Sequence, residues 1–181
     1  MGSKNNKTLT GSWIVAAGTV ASAVNASINA NTGDDGEGLD LIGNTLQATG
    51  NGVIADESDS TLSASGNIIQ ATGNSTIIYS ILGNLDRRTS LNLVIKGNLL
   101  QALGGTIGFS ETYEAEPSLT NVYKLNGDLL QVVGNSIQAI AAGRELKEMD
   151  ASHFAALGSW IQAIGAIIVA LAITKQEWSR A

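Results

Sequence analysis

The side chains able to do chemistry are few and scattered. The single histidine, His153, follows closely on Asp150, a spacing that could hold an imidazole against a carboxylate. No motif places a serine for such a pair to activate, and a histidine near a helix start reads as structural. Glu111, Glu114 and Glu116 form a run of carboxylates. Paired carboxylates can divide into acid and base, but in an acidic connection these read as solvated. The stretch 31–40, with Asp34, Asp35 and Glu37, and Asp56 further on, has the acidity of a calcium loop. The order of ligands in such a loop would place Ile42 where a bidentate glutamate belongs, so a solvated turn is expected. There is no cysteine, which excludes disulfides and thiolate chemistry. Among the 21 glycines, no Gly-x-Gly-x-x-Gly follows a strand and no Gly-Lys-Ser/Thr occurs. The expectation is a non-enzymatic chain with no metal, no cofactor and no small-molecule substrate.

The most specific polar feature is a recurrent glutamine: Gln47, Gln70, Gln101, Gln131 and Gln162. Each sits at the same place in a repeated unit, Gly-Asn-x-Leu-Gln-Ala-x-Gly, whose copies start at 11, 43, 66, 97, 127 and 158; Val15 replaces the glutamine in the first copy. Such a face could line a polar channel or bind a partner. The favoured reading is that these glutamines, with Asn44, Asn67 and Asn98, hydrogen-bond between helices and fix their register, as buried amides do in coiled coils.

The elements that must position these amides are legible from the unit's periodicity. Phe154, Gly158, Ile161, Gly165, Ile168 and Ala172 step by four and three, and Tyr123, Gly127, Leu130, Gly134, Ile137 and Ala141 repeat the rhythm. A seven-residue rhythm belongs to a helical face and not to the alternation of a strand. A second stripe, Trp160, Ile164, Ile167 and Leu171, widens the apolar arc, so each helix needs at least two neighbours. A spacing near 31 residues leaves roughly 20–24 helical residues and a short antiparallel connection. The connections hold most of the charge and the turn residues. Ser60, Ser90 and Asp150 are candidate caps, and Pro117 sits where a helix should begin. The expected fold is all-α, about six antiparallel helices packed through Gly/Leu heptad seams, in one domain over 1–181.

A Gly-rich β-repeat is the alternative, because twelve glycines would cost the helices on the order of 10 kcal/mol relative to alanine. Helices accept that cost only where a missing side chain lets two backbones approach. Gly18, Gly50, Gly73, Gly104, Gly134 and Gly165 are therefore the expected helix-contact residues.

Hydrophobic residues make up 44% of the chain and charged residues 14%, with eight aromatics, so the core must be aliphatic and small. Net charge is −6 and Arg87-Arg88 is the only adjacent basic pair, which excludes nucleic acid as a partner. Lys4 and Lys7 before an apolar stretch imitate a secretory signal, and Asn6 breaks a myristoylation pattern. Because the segment contains a copy of the unit, it is read as retained structure. Residues 154–174 carry no charge and are long enough to span a bilayer. With Ser159 and Gln162 within them, the favoured reading is a buried helix of a soluble assembly. The outer copies both read Gly-Ser-Trp-Ile, which marks Trp13 and Trp160 as association residues or as the place where the first and last helices meet.

The repeated unit, the Gly-Ser-Trp-Ile-Gln-Ala-Ile-Gly closing copy and the chain's size resemble an uncharacterised family of repetitive helical proteins from spore-forming Firmicutes. The resemblance covers nearly the whole chain and implies no activity, cofactor or site residue. The leading expectation is a structural, self-associating cytoplasmic protein. The alternative is a membrane-active helical protein that inserts or permeabilises, membrane-associated or secreted. A binding module using the glutamine face is a third class.

Overall fold

The structure, a computed structural model, describes residues 2–33 and 36–179, and side chains from Lys7 onward apart from Glu37. Asp34 and Asp35 lie outside the described residues, as do the side chains of Lys4, Asn6 and Glu37. Six helices follow one another: α1 (Gly2–Thr32), α2 (Glu37–Glu57), α3 (Thr61–Leu82), α4 (Arg87–Glu114), α5 (Leu119–Glu145) and α6 (Ser152–Trp178). No strand occurs among the described residues, so the fold is all-α.

Most of the helices are longer than the 20–24 residues their spacing suggests, because charged residues read as connection are helical. Asp56 and Glu57 end α2, Arg87 and Arg88 begin α4, and Arg144 lies in the last turn of α5. The ends are capped locally. Ser60 Oγ accepts from the Ser63 amide at 3.2 Å, Asp86 from Thr89 at 3.0 Å, and Ser118 from Asn121 at 3.1 Å. Asp86, not Ser90, therefore caps α4; the Ser90 hydroxyl instead donates to the Ser80 carbonyl of α3. Pro117 precedes the Ser118 cap instead of opening α5. Asp150 accepts from both the amide and the hydroxyl of Ser152 at the start of α6.

Each helix packs against its neighbours in sequence, and α6 packs against α1, with no packing of helix against helix across the middle. The result is a closed ring. Trp13 and Trp160 lie on its closing seam: the Trp13 indole donates to Thr174 Oγ1 at 3.1 Å and the Trp160 indole to Ser27 Oγ at 2.8 Å. Each tryptophan thus ties α1 to α6.

The ring is built of three antiparallel pairs, α1/α2, α3/α4 and α5/α6, each crossing at two glycine pairs. A Cβ on Gly18, Gly73 or Gly134 would come 2.6 Å from the carbonyl oxygen of Gly43, Gly97 or Gly158. Gly50, Gly104 and Gly165 meet Gly11, Gly66 and Gly127 in the same way. Any side chain at these crossings would force two backbones apart. The same crossing thus recurs in all three hairpins.

Candidate functional site

Polarity in this ring is inverted. The most deeply buried large side chains are Asn74, Asn135 and Thr19, and the buried apolar residues are alanines apart from Val15, Ile77 and Ile173. Leucine, isoleucine, valine and aromatic residues instead lie exposed on the outside, among them Ile68, Leu103, Leu129, Ile164 and Leu171. An ordinary soluble domain buries these types and exposes Asn and Gln. The axis of the ring is therefore the candidate site.

The glycine crossings set the height of each lumenal side chain. A Cβ on Gly18, Gly73 or Gly134 would lie 2.9, 3.0 or 2.6 Å from the backbone nitrogen of Gln47, Gln101 or Gln162. Each of these glutamines is therefore level with the residue after its partner glycine: Thr19, Asn74 or Asn135. Six polar side chains, one per helix, make one central tier, and all are buried. At its centre Gln162 Nε2 donates to Gln47 Oε1 at 3.0 Å and to Gln101 Oε1 at 3.2 Å, while Gln162 Oε1 accepts from Gln138 at 2.9 Å. Side chains from α2, α4 and α6 thus meet where the helices themselves do not. The Asn74 and Asn135 Oδ1 atoms are buried with no hydrogen-bond donor, a cost of about 1–3 kcal/mol each.

The next tier is offset along the axis. Gly50, Gly104 and Gly165 stand against the nitrogens of Val15, Gln70 and Gln131, which brings in Asn51, Gly105 and Ala166. This tier is smaller in volume, and cavities of about 70 and 150 Å³ adjoin it, walled by Asn67, Gln70, Asp128 and Gln131, with Glu111 and Lys124 toward the ring's end. On the other side of the central tier a cavity of about 270 Å³ takes wall residues from all six helices, including Asn25, Asp40, Asn98, Gln138, Glu145 and Ser159. None of these cavities is walled by the six residues of the central tier. The lumen is thus two polar vestibules separated by a filled layer.

The repeated glutamines divide by helix. Gln47, Gln101 and Gln162 meet in the central tier, whereas Gln70 and Gln131 face the lower cavities. The asparagines expected to bond between helices do not: Asn44, Asn67 and Asn98 donate to the i−4 carbonyls of Asp40, Ser63 and Val94. Sequence reasoning missed Thr19, Asn74 and Asn135 because the copies were compared only as far as the second glycine, and the residue after it, although part of the Gly43–Asn51 unit, was given no role. It also missed Asp40 and Asp128, whose carboxylates lie on lumenal walls. His153 is exposed beside the Asp150–Ser152 turn and is on the wall of none of the three cavities described above.

No curated protein and no solved structure matches the chain. A family model described as "Family of unknown function (DUF6944)" matches residues 6–170, and on that match the chain belongs to this family.

Proposed function

We propose that the protein is a non-catalytic, membrane-embedded helical barrel whose outer surface meets lipid and whose polar lumen runs along its axis. The inverted polarity carries this reading: amides inside, large apolar side chains outside. Four further features favour lipid as the cover. The helices are 21–31 residues long, enough to cross a hydrocarbon layer of about 30 Å. Charge gathers at the two ends of the ring, with residues 8–32, 41–55, 61–82 and 154–174 free of Asp, Glu, Lys and Arg. Lys96 is an exception, exposed part-way along α4, where its four-carbon stem lets the ammonium reach toward the rim. Tyr79, Tyr113, Tyr123 and Trp178 stand exposed near helix ends, as interfacial aromatics do. Outward hydroxyls such as Thr45, Thr49, Thr72 and Ser75 donate to their own i−4 carbonyls, so they present no unmet donor to hydrocarbon.

Among the described residues, only α1, over residues 7–32, and α6 are long and apolar enough to cross a membrane as single helices. The other four carry lumenal amides, which lower the average hydropathy of any window although they do not face outward; their outward Thr and Ser residues lower it further. Insertion is therefore a property of the assembled ring. The test is flotation of the full chain with phospholipid vesicles. Wild type should rise with the lipid, and Leu103→Asp/Leu129→Asp, two outward residues near mid-helix, should stay below with unchanged helical circular dichroism. Each buried carboxylate costs about 3 kcal/mol at mid-bilayer. A wild-type chain that stays soluble, with light scattering giving a closed oligomer, would instead favour the self-associating scaffold.

A further inference from the structure

We propose that the lumen is a path for monovalent cations, closed in this structure by the amide tier of Gln47, Gln101 and Gln162. The proposal rests on the bilayer reading and assigns a solute class to the barrel. Both vestibules carry carboxylates on their walls: Asp40 and Glu145 on one side of the tier, Asp128 and Glu111 on the other, against Lys124 as the lysine on these walls. In a pore with low-dielectric walls such an excess of carboxylate concentrates cations and repels anions. The uncharged polar residues of the lining are Asn, Gln, Ser and Thr, set among apolar ones such as Val94 and Val169, and their oxygens can replace part of a cation's hydration shell.

The central tier is itself rich in acceptors. The Asn74 and Asn135 amide oxygens are buried without donors, and the Gln47 and Gln101 oxygens converge on one group, the Gln162 amino group, at 3.0 and 3.2 Å. That amino group sits where a dehydrated cation would sit, between two amide oxygens. The plug is a side chain, not backbone: no helix crosses the axis. Moving Gln162 aside joins the two vestibules without moving a helix.

The experiment measures potassium and chloride flux from vesicles holding the full chain, with flotation and helicity recorded for every variant. Wild type should pass little of either ion. Gln162→Ala removes the side chain that fills the tier together with its bonds to Gln47, Gln101 and Gln138; it should raise potassium flux about tenfold or more, the population change expected from losing the two bonds that close the axis, and should leave chloride flux low. Gln162→Asn keeps an amide but is too short to reach both partners; it should also conduct, which guards against Gln162→Ala failing to fold. Asp128→Asn added to the conducting variant should lower potassium flux severalfold. Wild-type flux in both Gln162 variants while they still float overturns the path but leaves the bilayer reading intact. Equal potassium and chloride flux overturns the cation assignment. A wild type that already conducts at the variants' rate overturns the closed tier, and a chain that never enters vesicles overturns both proposals.

Discussion

Alanine at two different glycines should move stability in opposite directions. In a helix the change from glycine to alanine gains about 1 kcal/mol from backbone entropy alone. At Gly52, on the outside of α2, an added Cβ meets nothing within 4 Å, so Gly52→Ala should be stabilising by about that amount. At Gly134 the same Cβ would stand 2.6 Å from the Gln162 nitrogen and 2.6 Å from the Gly158 oxygen. Both are backbone atoms of α6 and cannot rotate away, so α5 and α6 must separate by several tenths of an ångström. Overpacking of this kind costs about 1–3 kcal/mol, with backbone contacts toward the upper end. After the helical gain is subtracted, Gly134→Ala should be destabilising by about 1–2 kcal/mol. In a chain this long 1 kcal/mol corresponds to about 2–4 °C. Thermal melts followed by helical circular dichroism should show Gly52→Ala a few degrees above wild type and Gly134→Ala a few degrees below. A rise of similar size in both variants would refute the argument that glycine is present at the crossings for contact.

The closing seam makes a second contrast. Trp13→Phe/Trp160→Phe removes the indole donors to Thr174 and Ser27 and should lower stability by about 0.5–1.5 kcal/mol per bond without changing the particle mass. A fall in oligomer mass with unchanged stability would show the tryptophans acting between chains. At the rim, hydrogen bonds from the Thr89 side chain and amide hold the Asp86 carboxyl below its ordinary value. A depressed folded-state value adds stability above the unfolded value and loses it as pH falls through the folded one. Asp86→Ala should therefore lower the melting temperature near neutral pH, and its gap from wild type should close below about pH 4.

Helix against strand was legible because a three-four step of glycine and leucine has no counterpart in a two-residue alternation. The spacing of the copies made antiparallel neighbours legible, and the step of 23 between the second and third copies, against about 31 elsewhere, matches the two shortest helices, α2 and α3; it pointed to the tightest hairpin there, whereas the glycine crossings join α1 to α2, α3 to α4 and α5 to α6. Which face turns inward was not legible. Leu129, Val133 and Ile140 lie on an apolar stripe of α5 beside the glycine stripe, and hydropathy alone assigns that stripe to a core. The structure puts it outside, because the glycine pairs fix the hairpin contact and closure of the ring then leaves the amide stripe facing the axis. Closure depends on α1 meeting α6, a relation between residues 13 and 174 and between 27 and 160 that no local pattern carries. The lumenal roles of Asp40 and Asp128 were hidden for the same reason.

One backbone, repeated three times around an axis, presents equivalent positions in every hairpin, so the difference between a closed tier and an open one lies in side-chain volume. The central tier is filled at all six positions by Thr19, Gln47, Asn74, Gln101, Asn135 and Gln162. One step along the axis the corresponding residues are Val15, Asn51, Gln70, Gly105, Gln131 and Ala166, and there a cavity opens. Two of the even-helix positions have shrunk to Gly105 and Ala166, and the first copy has lost its glutamine to Val15. Had the copies stayed identical, the axis would be equally filled at both heights. The departures of single residues from the repeat, more than the repeat itself, confine the constriction to one layer and leave a vestibule on each side of it.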